Sequence, residues 1–311
     1  MFPHFEQMKD AMLLRNSLAP YIYTAARQHY DTGIGLLRPL YYEHPEQDEA
    51  YEWATTQYYF GDSILCAPIA TPASSPDQRK GKSTKTLWVP AGAWVEWDGE
   101  VTHVGPALLS KNYSLAEIPM LVSAGSVVPL KTMASVAALR PDPLVWAIFV
   151  PGVGANDCRE QQVVGKAEVY EDDGETREYE TSQGERTVLE YSGDWTATVM
   201  VNITSLYTPG TPAHEIRTSK ERGHALQLRG LQQRQGHKLK AVSFRVGGME
   251  ADGSPLAMLA DTSQPVEDRL ASAGWWTHTG HSLSTPRHSV IVNLGQHPTT
   301  KPIEVRLDFE V

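Results

Sequence analysis

The stretch LWVPAGAWVEW, residues 87–97, indicates the fold class of this chain. Two short runs of strand-forming residues, 87–90 and 94–97, flank a glycine-containing break, and the Asp-Gly pair at 98–99 is a tight-turn signal. Short segments of the same kind recur toward the C-terminus and are separated by clusters of turn-forming residues. This pattern is typical of β-sandwiches and barrels. The predicted distal strands are 144–150, 166–171, 177–180, 187–191, 196–203, 224–231, 241–246, 289–294 and 303–309.

The N-terminal part of the chain has a different character. Apolar residues recur at steps of three and four over residues 5–29, which predicts a helix that Pro20 kinks or splits and Gly33 ends. The continuous apolar run 34–42 predicts a strand buried on both faces, as in a parallel sheet. An acidic helix is expected over about residues 48–60. Helix, strand and helix in this order are typical of an α/β unit.

Composition excludes several classes of protein. The chain has 311 residues, 41% of them hydrophobic, which is enough to build cores and excludes global disorder. The net charge of −10 argues against a partner recognised through nucleic-acid phosphates. Two cysteines cannot make a disulfide framework, and no apolar run reaches the length of a membrane helix. The N-terminus has neither the basic start nor the apolar stretch of a signal peptide.

Few residues suggest chemistry by themselves. Glu43, Glu46 and Asp62 are candidate acids near the end of the apolar run, although ordering a loop is the more common role for such acids. The acids at 171–173 do not fit the spacing of a calcium loop and favour a hairpin turn. The pair Trp275-Trp276 would stack on a sugar ring if exposed, or fill a core if buried.

Two positions match the acceptor pattern for N-glycosylation. Asn112 begins Asn-Tyr-Ser in a predicted polar loop, and Asn202 begins Asn-Ile-Thr inside a predicted strand, where modification is less expected. Cys66 lies in an apolar strand and is expected to be a buried, inert thiol. Cys158 lies in a loop, and whether the two cysteines form a disulfide stays open.

Six segments in order along the chain resemble glycoside hydrolase family 31, the α-glucosidase family. The segments are MLLRNSLAPYIYT (12–24), GLLRPL (35–40), QYYFGDSILCAP (57–68), LWVPAGAWVEW (87–97), IPMLVSAGSVVP (118–129) and YEDDGET (170–176). The second segment resembles the last strand of the family's barrel, except that Leu36 stands where the family usually has proline. Beyond about residue 195 the similarity is only to general β character.

The resemblance implies a mainly β fold with two C-terminal β-sandwich-type domains after the last helix–strand–helix piece of a (β/α)₈ barrel. The implied boundaries are 1–61 for the barrel piece, 62–131 for a proximal β-domain and 132–311 for a distal β-domain. Enzymes of this family hydrolyse α-glucosidic bonds with retention, which needs two carboxyls about 5–5.5 Å apart. No cofactor and no catalytic metal are implied.

The family's catalytic aspartates and substrate-binding histidine precede the segment that resembles 12–24, so no residue of this chain is assigned a catalytic role. Tyr41, Tyr42 and Glu43 follow the implied last barrel strand and are candidates for bordering the substrate pocket. We therefore expect the C-terminal part of an α-glucosidase-like enzyme, inactive alone, whose partners are the missing barrel portion and an α-glucoside or oligosaccharide substrate. Residues 1–61 are expected to be poorly stable in isolation, because one barrel strand cannot close a barrel.

The alternative is a non-catalytic carbohydrate-binding or structural β-module. The compartment is left open: a secretory, lysosomal or endoplasmic-reticulum route is consistent with a full-length family member, and a signal peptide would lie upstream.

Overall fold

The computed structural model of the chain describes residues 4–72, 82–98, 101–132, 142–152, 163–180, 184–207, 221–231, 238–250, 256, 273–278 and 289–310. The helical elements are α1 (Phe5–Ser17), α2 (Ala19–Thr32) and α3 (Asp48–Glu52), with 3-10 helices at Leu40–Tyr42, Trp53–Thr55 and Glu178–Glu180. The shorter strands are β1 (Leu37–Arg38), β2 (Tyr58–Phe60), β3 (Ile64–Cys66), β6 (Met120–Ser123), β7 (Val127–Lys131), β8 (Leu144–Phe149), β14 (Met249–Glu250) and β15 (Gly274–His278). The longer strands are β4 (Ser83–Glu96), β5 (Thr102–Tyr113), β9 (Val163–Glu171), β10 (Glu185–Asp194), β11 (Thr198–Tyr207), β12 (Glu221–Arg229), β13 (Lys238–Val246), β16 (Ser289–Pro298) and β17 (Ile303–Glu310). The prediction of a mainly β protein is confirmed.

The described strands form three sheets. The first sheet has the order β1-β2-β3-β6-β4-β5, the second β15-β16-β12-β8-β7 and the third β14-β13-β17-β11-β10-β9. The recorded pairings are antiparallel except that of β12 with β8, which is parallel. No closed barrel is found among these strands.

The second sheet lies between the other layers, and β8 shows why. Trp146 and Ile148 of this strand pack into the core shared with the third sheet, while Ala147 and Phe149 pack into the core shared with the first sheet and the helices. All four side chains are fully buried. A strand covered on both faces needs apolar residues at consecutive positions, which is what β8 supplies.

The helices begin and end as the sequence predicts. Pro20 lies at the start of α2, where its missing N–H costs no hydrogen bond and its fixed φ suits the first turn. Gly33 ends α2 in the left-handed conformation with φ 79°, and its N–H donates to the carbonyl of His29. Leu14 and Leu18 are buried against strands of the first and second sheets, so the helix pair packs on the β-structure.

Two predictions for the segment after α2 are wrong. Residues 34–42 form no buried parallel strand: β1 has two residues, pairs antiparallel with β2, and leaves Leu37 exposed. The expected helix over 48–60 stops being α-helical at Glu52, and its last residues form β2. In both places an aromatic residue contacts another element: Tyr41 stacks on Tyr51 of α3, and Tyr59 lies against Trp94 of β4. These tertiary contacts outweigh the local pattern.

Sheet membership extends across both predicted domain boundaries. Strands β1 and β2, before residue 62, lie in the first sheet with β3 to β6. Strand β7, before residue 132, pairs with β8 in the second sheet. The boundaries at 61/62 and 131/132 stay predictions that the separate unfolding of the segments would test.

No helix within the described ranges has both the length and the apolar character that crossing a lipid bilayer requires.

A buried carboxylate stabilises the long β4–β5 hairpin. Oε1 of Glu96 lies 3.0 Å from Nε2 of His103, and Nζ of Lys111 donates to both carboxylate oxygens at 3.0 and 2.9 Å. Burial alone would raise the pKa of Glu96. The hydrogen bonds from His103 and Lys111, together with their charge, outweigh burial and hold the pKa below its ordinary value of 4.5.

We predict that Glu96→Gln lowers the free energy of unfolding at pH 7 by about 1–3 kcal/mol, because Lys111 loses its charged partner. Because the pKa of Glu96 is lower in the folded state than in the unfolded state, its contribution to stability is fully present above about pH 4.5. That contribution is lost as the pH falls through the lower pKa of the folded state. Urea unfolding of wild type and variant at several pH values measures this difference. Glu190→Gln is the control, since its ion pair with Lys166 is exposed. A difference between wild type and Glu96→Gln that does not change with pH would contradict the assignment.

A second prediction concerns Gly165 in β9. A Cβ atom there would lie 2.0 Å from Cε1 of Tyr191 and 2.6 Å from the carbonyl oxygen of Gly125. The hydroxyl of Tyr191 donates to that same oxygen at 2.7 Å. Gly165→Ala should therefore destabilise the chain by about 1–3 kcal/mol in thermal or urea unfolding. Gly35→Ala, whose Cβ would meet nothing closer than 3.5 Å, should leave the stability within about 0.5 kcal/mol. Equal effects of the two substitutions would contradict this reading.

Candidate functional site

Arg38 organises the surface at the end of β1. Its guanidinium donates to the carbonyl of Gly61 at 2.6 Å and forms ion pairs with Asp62 at 2.7 Å and Glu43 at 2.8 Å. The arginine is 8% exposed, whereas both carboxylates are much more exposed. We call this group, Arg38 with Glu43, Gly61 and Asp62, the arginine junction. It joins the turn before β3 to the 3-10 helix that follows β1.

The arginine junction accounts for two of the three candidate acids. Glu43 and Asp62 share one guanidinium, so each carboxylate is ordered by a fixed positive charge. This is the loop-ordering role that the sequence left as the alternative to chemistry. Glu46 is exposed in the loop before α3.

Three tyrosines form a cluster beside the arginine junction. Tyr41 stacks on Tyr51 with ring centroids 5.0 Å apart and an angle of 8° between the planes, and Tyr42 meets Tyr41 edge-on at 5.5 Å. Tyr42 is 66% exposed and Tyr51 54%. The structure thus brings the predicted pocket residues Tyr41 and Tyr42 together with Glu43. Tyr51 was missed because its segment reads as an acidic helix.

A polar contact of His44 connects the segment after the tyrosine cluster to the first sheet. Nε2 of His44 lies 2.8 Å from the hydroxyl of Tyr59, and its ring meets Trp88 edge-on at 5.6 Å. Burial lowers the pKa of His44, with a smaller opposing effect from Glu43. His44 is therefore a neutral ring at pH 7, and its role is to fix the start of the loop against the first sheet.

Gln57 attaches this region to β4. Its side chain is buried, donates to the carbonyl of Trp88 at 2.7 Å and accepts the N–H of the same residue at 2.9 Å. The amide thus acts as a strand partner for one residue of β4. Gln57 is the first residue of the segment QYYFGDSILCAP, so the sequence marked this residue without showing its role.

The two glycosylation candidates are both exposed on strands. Asn112 lies in β5, not in the expected loop, and its Oδ1 accepts a hydrogen bond from Thr84 at 2.7 Å. Asn202 lies in β11 as expected, between Glu190 of β10 and Glu304 of β17. Whether either residue is modified stays a prediction.

The remaining sequence candidates have structural roles or lie outside the described residues. Trp275 is buried in the core between the second and third sheets, so it cannot form part of an exposed sugar platform. Cys66 is a buried free thiol whose pKa is raised by burial to about 12. Cys158 lies outside the described residues. Within those residues, no group of three or more His, Cys, Asp or Glu side chains is placed to hold a metal ion.

A separate cleft of about 490 Å³ lies between the segment after β3 and the connection from β5 to β6. Its walls are largely apolar, with Pro68, Ile69, Leu115, Ile118 and Pro119 among the lining residues. None of the predicted pocket residues borders it. The arginine junction and the tyrosine cluster are therefore the candidate site.

Comparison with known proteins shows which families and folds the chain is similar to. Residues 33–128 match the model of the glycosyl hydrolase family 31 C-terminal domain, a range that includes the arginine junction and the tyrosine cluster. The chain is 29% identical over 116 residues to an isomaltosyltransferase of Sporosarcina globispora. It is 27% identical over 184 residues to alpha-glucosidase 2 of Bacillus thermoamyloliquefaciens. These alignments cover 37% and 59% of this chain, but only 10% and 21% of the two relatives.

The fold likeness extends over nearly the whole chain. A family 31 dextranase of Flavobacterium johnsoniae, solved in complex with glucose, superimposes with a TM-score of 0.71 at 20% sequence identity. The superposition covers 97% of this chain and 32% of the dextranase. The chain thus spans about a third of this solved relative. Residues 33–128 are therefore similar to the C-terminal domain of glycoside hydrolase family 31, and the fold of the chain is like that of a solved family 31 dextranase.

Proposed function

We propose that this chain is the C-terminal part of an enzyme that hydrolyses O-glycosidic bonds of α-glucosides with retention, and that it hydrolyses no glycoside by itself. The observation that carries the proposal is the match of residues 33–128 to the C-terminal domain model of glycosyl hydrolase family 31. Relatives that are named as α-glucosidases support the substrate class.

The arginine junction supports the second half of the proposal. A retaining glycosidase needs one carboxylate free to attack and one carboxylic acid able to give up a proton, about 5–5.5 Å apart. Glu43 and Asp62, the acids close to β1, are instead bound to the guanidinium of Arg38. Because both carboxylates are held by the same arginine, neither is free to act as the nucleophile.

Exposed apolar residues of the N-terminal segment, before residue 62, support a contact with more protein. Phe5, Met8 and Met12 follow one another at steps of three and four on α1 and are 46%, 62% and 66% exposed. Leu37 in β1 is 61% exposed. Exposing such a stripe to water costs free energy, and covering it with other protein is stabilising. We propose that the remaining strands and helices of the barrel cover it.

The tyrosine cluster has a place in the same proposal. We propose that Tyr41, Tyr42 and Glu43 border the substrate pocket once the barrel is complete. The exposed faces of Tyr42 and Tyr51 suit an apolar face of a pyranose ring, and carboxylate oxygens accept hydrogen bonds from sugar hydroxyls. The oligosaccharide would then contact both the barrel and this C-terminal segment.

The test is an assay of the purified, folded chain on maltose and on a nitrophenyl α-glucoside. We expect no turnover above a buffer blank under conditions in which a full-length relative hydrolyses both substrates. Circular dichroism and a cooperative urea transition on the same preparation establish that the chain is folded. Clear turnover that survives further purification would refute the proposal.

The DNA upstream of the coding segment is expected to encode the W-x-D-M-N-E-type nucleophile motif of the family.

A carbohydrate-binding or structural module is the second candidate, and the exposed tyrosine cluster is the observation that favours it. We expect the chain to pass a column of immobilised glucan without delay, because one wall of a pocket holds a sugar weakly. Retention that Tyr42→Ala abolishes and Tyr42→Phe preserves would favour the binding module instead. This outcome would leave the resemblance to family 31 untouched.

A further inference from the structure

Helix α2 is held by different kinds of contact along its length. Pro20 and Ala25 are its buried residues, and both lie in its first half. After Ala25 the described residues of α2 are half-buried or exposed. The second half of the helix therefore has no apolar anchor, and its position depends on polar and aromatic contacts.

The contacts of Tyr23, Thr24 and the second half of α2 come mainly from the end of β9 and the connection that follows it, residues 170–180, which we call the strap. The backbone N–H of Tyr170 donates to Oγ1 of Thr24 at 2.9 Å. The hydroxyl of Tyr23 donates to Oδ1 of Asp172 at 2.5 Å, and its ring stacks on Tyr170 with centroids 6.1 Å apart and planes 18° apart. Burial, followed by Asp172, raises the pKa of Tyr23, so its hydroxyl remains a donor at neutral pH.

Arg27 makes the densest set of contacts. Its Nη1 donates to the hydroxyl of Tyr170 at 3.1 Å and to the carbonyl of Tyr179 at 2.9 Å. Its guanidinium lies over the Tyr170 ring, 4.8 Å from the centroid. Arg186 of β10 lies over the same ring at 5.5 Å. Two cations thus lie near one aromatic ring, and Asp31 forms ion pairs with both arginines.

The strap takes its shape from its own turn. Oδ1 of Asp173 accepts the N–H groups of Glu175 and Thr176, and Oδ1 of Asp172 accepts that of Gly174. Gly184, with φ +64°, brings the returning chain against Tyr170, where a Cβ atom would lie 2.5 Å from the ring. The acids of the YEDDG sequence therefore form a rigid turn that presents Tyr170 and Asp172 to the helix.

The first half of α2 reaches the arginine junction. The hydroxyl of Tyr21 donates to the carbonyl of Phe60 at 2.9 Å and accepts the N–H of Ser63 at 3.3 Å. Between these two residues lie Gly61 and Asp62, the partners of Arg38. Gly61 must be glycine, because a Cβ atom there would lie 2.2 Å from the Tyr21 hydroxyl. Along one helix, Tyr21 thus contacts the turn that holds Arg38, and Tyr23, Thr24 and Arg27 contact the strap.

We propose that the strap is a positioning device: by fixing α2, it holds Tyr21 in place and so sets the turn at 60–63 that carries two partners of Arg38. In this arrangement the distal β-structure controls the geometry of the arginine junction, although none of the strap's contacts described above reaches the junction directly. The contacts join residues up to 152 positions apart in the chain. Tyr170, Asp172 and Arg27 are positioning residues in this proposal, which concerns the chain as it is and does not require enzymatic activity.

Hydrogen exchange of the full chain tests the proposal with Arg27→Met, which keeps side-chain length and removes the donors. We expect amide exchange to rise about ten-fold in two places, the second half of α2 and residues 57–63. Exchange in β12 and β16, in the core of the sandwich, should not change. Arg15→Met, an exposed substitution on α1, is the matched control and should change neither place.

Two results would overturn the proposal. If exchange rises in α2 but not in 57–63, the strap secures the helix without positioning the junction. If exchange rises in neither place, the strap does not hold the helix. Should Arg27→Met also loosen β12 and β16, Tyr23→Phe replaces it, because it removes one hydroxyl and keeps the ring; about three-fold faster exchange in both places is then the expected result.

Discussion

The guanidinium of Arg229 is completely buried where the first and second sheets meet, and the layering of the chain depends on it. It lies 4.5 Å from the ring centroid of Trp97 and 5.3 Å from that of Phe149. Its hydrogen bonds go to the carbonyl of Trp97 at 2.9 Å and to Oε1 of Gln227 at 2.9 and 3.1 Å. Burial lowers the pKa of Arg229 to about 9, so the group is still a cation at neutral pH. A buried cation is tolerated only where hydrogen bonds and aromatic faces replace water, and this requirement fixes the end of β4 against β8 and β12.

The second sheet is shared by two cores. Because β8 is covered on both faces, the core of the sandwich and the core beneath the helices share one strand. A layer in this position cannot be assigned to a single domain by composition. This is the physical reason why β7 lies before the predicted boundary at residue 132 but pairs with the distal strands. The helices in turn pack on a surface to which two sheets contribute.

The candidate site shows how far a sequence-based reading extends. The position of Tyr41, Tyr42 and Glu43 after the RPL segment was enough to predict that they lie together, because neighbours in the chain must be near in space. The stacking of Tyr51 on Tyr41 was not predictable, since it depends on a turn between a 3-10 helix and α3. The pairing of Arg38 with Asp62 was equally hidden, because 24 positions separate the two residues and β2 must fold back to bring them together. The expected buried strand over 34–42 was wrong for a related reason: aromatic side chains there pack against α3 and the first sheet rather than within a parallel sheet.

By itself the sequence determined the mainly β class, the division of the first helix at Pro20, the end of α2 at Gly33 and, through six ordered segments, the resemblance to family 31. These features depend on local conformational preference and on side chains whose spacing repeats within a few residues. Only the tertiary structure decided the roles of Glu96, Arg229 and the strap. Each of these depends on a charged or hydroxyl group that meets a partner elsewhere in the fold, from seven positions away for Glu96 and His103 to 152 positions away for Arg27 and Tyr179. Hydrogen bonds and ion pairs act over about 3 Å in space, and the sequence does not record which distant residues come that close.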